Sequence, residues 1–150
     1  VYTKFPMCLR AGFTGTREKL TSAQLAALRE FLLALRPYRG DHGDCVGADT
    51  AFHMVLRELE VPVTLHPPTN SEFRSFVWTS ADLGDVVCVE KNYLERNEDI
   101  VRDTDFLIAC PEGPEVMRSG TWATVRYARK KGRTIVVFWP DGHTDLECAT

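Results

Sequence analysis

Short apolar runs alternate along this chain with turn residues and with segments whose apolar positions recur every three to four residues. This strand, loop, helix rhythm predicts an α/β domain with a mostly parallel sheet. The first unit is the clearest. Met7 to Phe13 reads as a strand running into the turn Thr14-Gly15-Thr16-Arg17. A helix follows from Thr21: Thr21 and Gln24 have capping-box spacing, Leu20 can staple onto Leu25, and Leu25, Leu28, Leu32 and Leu35 share one face. Pro37 helps to end it. The rhythm then requires a strand over Tyr38 to Asp44, although Gly40, Asp41, His42 and Gly43 are poor strand formers.

Beyond Gly47 the pattern recovers, with Ala51, Phe52, Val55, Leu56 and Leu59 as the stripe of a second helix. Val61 to Leu65 reads as a short strand capped by His66-Pro67-Pro68, Thr69 to Asp85 as an irregular surface excursion, and Asp85 to Val89 as another short strand. Tyr93 to Asp103 suits a helix, Asp105 to Cys110 a strand, Thr121 to Lys131 a helix stopped by Gly132, and Thr134 to Trp139 a strand. Residues after Asp141 read as a polar tail. The expected architecture is a single Rossmann-like three-layer sandwich of about five parallel strands, with its core over about residues 8–140.

Composition narrows the functional classes. At 150 residues, 44% hydrophobic and 26% charged, the chain has apolar material for one core. No apolar run approaches the roughly 18 to 20 residues of a membrane span, and no secretory pattern opens the chain, so a cytoplasmic protein without membrane partners is expected. Cys8, Cys45, Cys88, Cys110 and Cys148 are widely separated and contain no C-x-x-C pair, so reduced thiols are expected and no metal is assigned. The net charge of −3 disfavours non-specific nucleic-acid binding, which draws on a basic surplus.

Candidate chemistry sits where strands run into helices, because ligands of open parallel sheets lie beyond the strand C-terminal ends, facing helix N-termini. Three loops occupy such places. Gly12-Phe13-Thr14-Gly15-Thr16-Arg17 offers close backbone approach, hydroxyls and a guanidinium. Gly43-Asp44-Cys45-Val46-Gly47-Ala48-Asp49 is a second glycine-flanked turn, and Arg118-Ser119-Gly120-Thr121 a third. Neither G-x-x-x-x-G-K-[ST] nor G-x-G-x-x-G is present, which argues against a P-loop kinase or ATPase and against the usual dinucleotide fingerprint.

These motifs, with Arg96-Asn97 within YLERNEDIV and Arg118 to Ala128 (RSGTWATVRYA) followed by Gly132-Arg133, fall in an order that resembles the SLOG superfamily, which includes the DNA-processing protein A family and the LOG phosphoribohydrolases. The resemblance spans about residues 8 to 140. It implies a Rossmann-like sheet whose motifs surround a nucleotide-type ligand, such as a nucleoside monophosphate, NAD or ADP-ribose, with no further cofactor required. Arg96-Asn97 and the Ser119-Gly120-Thr121 stretch with Thr124 and Ala128 look closest to the processing-protein core, whose members bind single-stranded DNA. For this acidic chain that partner ranks below a small molecule. LOG enzymes use P-G-G-x-G-T-x-x-E, whose glutamate serves N-glycosidic cleavage. Here Thr124 stands in its place, and Glu112 and Glu115, on the loop held by Pro111 and Pro114, are the substitute candidates for a nucleoside-phosphate N-glycosidase.

Other candidates have blander alternatives. Asp49 and His53, four apart, would share a helix face and orient a ligand; a metal would need Asp44 or His42 as well. Asp44 at a strand end suits a ribose contact. Arg17, Arg96 and Arg118 could converge on a phosphate or diphosphate, or be scattered surface charges. His66-Pro67-Pro68 could wall a base pocket or form a rigid turn, and Trp78 and Trp122 could pack or stack on a base. The surface of helix 22–36 and the 69–85 stretch are the candidate faces for a homo-oligomer.

Overall fold

The computed structural model describes residues 8–148. Its elements run β1 (Arg10–Gly15), α1 (Ser22–Leu35), β2 (Arg39–His42), α2 (Ala48–Glu58), β3 (Val63–Leu65), a 3₁₀ turn (Ala81–Leu83), β4 (Val86–Val87), α3 (Tyr93–Asp103), β5 (Phe106–Cys110), α4 (Gly120–Lys130), β6 (Thr134–Phe138) and β7 (Thr144–Glu147). They form one sheet in the order β4-β3-β2-β1-β5-β6-β7. Every neighbouring pair is parallel except β6 and β7. Met7, the predicted start of the first strand, lies outside the described residues. No helix among the described residues is long and apolar enough to cross a membrane.

The period-2 alternation of the strands feeds two cores, one on each face. Ala11, Phe13, Phe106 and Ile108 meet Leu28, Phe31 and Leu32 of α1 and Phe52, Val55 and Leu56 of α2. Leu107, Ala109, Ile135 and Val137 meet Ile100 and Val101 of α3 and Trp122, Val125 and Ala128 of α4. The result is the expected three-layer sandwich. The unpromising β2 sequence has a packing reason: a Cβ on Gly40 would lie 2.3 Å from Leu56 Cδ1, so glycine is what lets α2 settle onto this strand.

Three expectations are corrected. The sheet has seven strands among the described residues, against about five expected. The polar tail after Asp141 is in fact β7, whose Thr144 to Glu147 pair antiparallel with Phe138 to Ile135. An edge strand with both faces largely solvated carries no apolar alternation, and its one sequence signal was the hairpin dipeptide Asp141-Gly142, with Gly142 at φ 88°. The capping box is only half formed. The Thr21 hydroxyl accepts from Gln24 N at 3.0 Å, but the buried Gln24 amide donates instead to Phe138 O (2.7 Å) and Pro111 O (3.0 Å), tying α1 to the ends of β6 and β5.

Candidate functional site

The chain builds β1 to β4 outward on one side, then returns to lay β5 against β1. The order therefore reverses between β1 and β5, and the crevice beyond their C-terminal ends is where ligands bind in such sheets. A cleft of about 860 Å³ opens there. Its walls come from the turn after β1, the turn after β2, the start of α3, and the loop between β5 and α4.

From the first loop, Thr14, Gly15, Thr16 and Arg17 line the cleft, whereas Gly12 does not. Gly12 faces α3, where a Cβ would lie 2.5 Å from Thr104 Oγ1. Gly15 permits contact with α2: its Cβ would stand 2.4 Å from that of Ala48. The Thr16 hydroxyl accepts from Glu18 N (3.0 Å) and lies 3.4 Å from Glu112 Oε2. Arg17 is exposed, with its guanidinium 4.1 Å from the Phe73 ring centroid and 5.4 Å from that of Tyr93. Among the described residues no carboxylate pairs with it.

The second loop divides. Gly43 and Asp49 line the cleft, while Asp44, Gly47 and Ala48 lie behind it. Arg96 fills the space a Gly43 side chain would need, and its Nη1 donates to Gly43 O (2.7 Å) and His66 O (3.2 Å) while Nε donates to Asn97 Oδ1 (2.7 Å). Arg96 and Asn97 both border the cleft, with Arg96 buried and held by backbone carbonyls. Asp49 is buried, accepts from Cys45 N (3.0 Å), and has its carboxyl pushed up to about 6 by burial, an effect that Arg96 opposes. Burial likewise pushes the Cys45 thiol up. Gly47, at φ 89°, precedes α2 in a conformation that side chains avoid, and Ala48 N donates to Thr16 O (2.9 Å), so these two knit the first loops together.

Asp44 points away from the cleft and holds a strap formed by residues 69–80. Its carboxylate accepts from Arg74 Nε (2.8 Å) and Val77 N (3.1 Å), and its carbonyl accepts from Ser75 N (2.7 Å). The anticipated Asp49–His53 pair is replaced by contact between His53 Nδ1 and His42 Nε2 at 3.0 Å. Because Asp44 N donates to His42 Nδ1 (2.9 Å), the proton sits on His42 Nε2 and is donated to His53 Nδ1; His53 Nε2 then donates to Trp78 O (3.0 Å). Burial, then the neighbouring His53, hold His42 well below the usual histidine range. Trp78 itself is exposed, and His66 points its imidazole at Asp41 (2.7 Å), so neither borders the cleft. Among the described residues the one set of close potential metal ligands is Asp41, His66 and Asp103, and there Arg10 already clasps both Asp41 oxygens at 2.8 Å.

In the third loop, Glu112, Arg118, Ser119, Gly120 and Thr121 line the cleft, together with the buried Trp122. Arg118 is exposed and has no carboxylate partner among the described residues. The Ser119 hydroxyl caps α4 by accepting from Trp122 N (3.3 Å), and Gly120 and Thr121, the first residues of the helix, line the cleft, so the positive end of α4 lies at its wall. Pro111 lies outside it, contributing its carbonyl to Gln24. Glu115 is drawn away by Arg129 (2.9 Å) and Arg126 (3.1 Å), which hold its carboxyl below the usual range. Thr124 is buried, and its hydroxyl donates back to Gly120 O (2.8 Å). Cys45, within the second candidate loop, lines the cleft, whereas sequence reasoning passed over Tyr93 and Glu18, which also line it, and Phe73, which stacks on Arg17. Tyr93 had a signal, three residues before Arg96 and thus on its helix face; Phe73 had none.

No protein-family model and no curated protein matches the chain. Among solved structures it is similar to the molybdenum cofactor binding protein of Rippkaea orientalis, at 23% identity over 90% of this chain and 78% of that one, with a TM-score of 0.66. A structural genomics target, TM1055, shows 17% identity over 84% and 71% of the two chains (TM-score 0.60). DNA processing protein A from Streptococcus pneumoniae shows 19% identity over 91% of this chain (TM-score 0.64), and the present chain spans about half of its length, 51%. At such identities the likeness is one of fold, and it agrees with the Rossmann-like sandwich expected from the sequence.

Proposed function

We propose that the cleft between β1 and β5 binds a nucleotide or nucleotide-derived small molecule through its phosphate. The observation that carries this reading is the pair of guanidiniums, Arg17 and Arg118, that border one cleft without carboxylate partners among the described residues, although the chain as a whole is acidic. Cations in an acidic protein are ordinarily drawn into ion pairs, as Arg126 and Arg129 are. The buried Arg96 and the first N–H groups of α4 supply further positive potential at the same place. A volume of about 860 Å³ suits a ligand of nucleotide size. One structural neighbour is named for binding a small cofactor and another for processing DNA; the net charge of −3 favours the small molecule here.

Native mass spectrometry of the purified protein, followed by thermal-shift titration with AMP, CMP, GMP, NAD and ADP-ribose, tests this. Selective binding at a hundredfold excess over Kd adds about 2.7 kcal/mol to stability, and Arg118→Ala removes that gain. Silence across the panel, with an unshifted Arg118→Ala variant, overturns the reading.

A second reading, N-glycosidic hydrolysis, draws support from Glu112, which faces the cleft beside Thr16 while Glu115 is held elsewhere. It expects free base after incubation with nucleoside monophosphates or NAD, and loss of that release in Glu112→Gln.

A further inference from the structure

Arg17 raises a question of positioning. A long side chain on an exposed turn is ordinarily fixed by a carboxylate, which would neutralise it and occupy its donors. Arg17 is fixed differently. Its guanidinium lies 4.1 Å from the Phe73 ring centroid and 5.4 Å from the Tyr93 ring centroid, and the Arg96 guanidinium lies 5.2 Å from the same Tyr93 ring. Phe73, Arg17, Tyr93 and Arg96 thus alternate, ring and cation. Contact with a ring face holds a planar guanidinium through the ring quadrupole and leaves its in-plane N–H edge and its full charge available to an anion.

Phe73 comes from the strap, far from Arg17 in sequence, and its place there is determined. Val46 N donates to Phe73 O (2.8 Å), Arg74 bridges Cys45 across an antiparallel contact, and Asp44 binds Arg74, Ser75 and Val77. The Thr50 hydroxyl donates to Ser75 Oγ (2.8 Å). The strap is therefore anchored to the turn after β2 and the start of α2 at Phe73 itself and at the residues that follow it.

We propose that Phe73 is a positioning residue of the anion site: it holds Arg17 as an uncompensated, edge-on cation for a phosphoryl group, and the strap 69–80 is thereby part of the ligand site. This rests on the phosphate reading above. It also sharpens the ligand class, because a guanidinium kept free of carboxylates favours a phosphate ester or diphosphate over a neutral nucleoside.

The test uses the full chain and sodium diphosphate as probe, followed by calorimetry. Phe73→Leu weakens diphosphate about tenfold, and Phe73→Tyr, which keeps a ring face, restores it. In an Arg17→Ala background Phe73→Leu has no additional effect, because the two act as one unit. Equal weakening by Phe73→Leu with and without Arg17, or no weakening at all, overturns the proposal. A second readout does not need a ligand. The Arg17 side-chain protons carry an upfield ring-current shift in the NMR spectrum of the wild type, which collapses in Phe73→Leu and persists in Phe73→Tyr. If the wild type binds no diphosphate, the phosphate reading falls, while the stack is still decided by that spectrum: a shift unchanged in Phe73→Leu removes the positioning role.

Discussion

The turn after β2 and the loop before α4 both place glycines, hydroxyl or carboxylate groups and a helix start at a strand end, yet they have opposite fates. On the end of β2 and in the turn after it the polar groups satisfy one another: Asp44 holds the strap, His42 and His53 bond to each other, and Asp41 is clasped by Arg10 and His66. Before α4, Arg118 borders the cleft without a carboxylate partner among the described residues, and Gly120 and Thr121 of the first helical turn line the same cleft. The contrast teaches that a dense run of polar residues does not mark a binding site. What marks it is polar capacity that the fold leaves unused.

Breaking the closed end has the largest expected effect. Asp44→Ala leaves a largely buried Arg74 and the Val77 N–H without their acceptor, and loss of a buried pair of this kind costs about 3–5 kcal/mol. Urea unfolding measures the loss, and limited proteolysis shows cleavage within 69–80 first. The open end behaves inversely. Arg118→Ala changes unfolding free energy by less than about 0.5 kcal/mol, yet weakens a phosphate ligand by about 1.5–3 kcal/mol, the range for hydrogen bonds to charged groups; titration calorimetry separates the two.

Acidity probes the boundary between the regions, where Asp49 sits. Its carboxyl is raised in the folded state, from the ordinary 3.8 to about 6, so it contributes stability that is full below pH 3.8 and is lost as pH rises through 6. His42 and His53 are lowered, so their contribution is present above 6.5 and is lost as pH falls below it. Unfolding curves of wild type and Asp49→Asn across pH 4–8 isolate the first effect, with the variant gaining on wild type as pH rises. Affinity for a phosphodiester, whose own charge is constant over this range, falls through pH 6 in wild type and stays flat in the variant. The smallest effect lies on the surface. Glu115→Gln cuts two partly exposed ion pairs and costs under about 1 kcal/mol in urea unfolding.

Most of the fold was legible in the sequence because helices and buried strands write their periodicity locally: Tyr93–Asp103 appears with the expected bounds, and α4 is displaced by one residue. β7 escaped because a solvated edge strand has no buried face to pattern. Among candidate site residues, Thr14 to Arg17 after β1 and Glu112 and Arg118 to Thr121 before α4 come together around the cleft, since strand-to-helix turns at the switch point follow from topology, whereas Pro111 and Glu115 are held away from it. Asp44, Gly47 and Ala48 serve the fold instead, and their composition is the same for either task. Phe73 was unreadable because its role depends on a strap folding back onto a turn laid down much earlier in the chain.

The sheet order also sets a timetable for synthesis. The ribosome releases β1 to β4 first, and in that interval β1 is the exposed edge of a half-sheet whose unpaired N–H and C=O groups can recruit another chain. Only when Phe106–Cys110 emerges and docks along Ala11 to Gly15 is that edge sealed. The same event opens the crevice that residues 112–122 then wall, so the cleft is completed only after that edge has been covered.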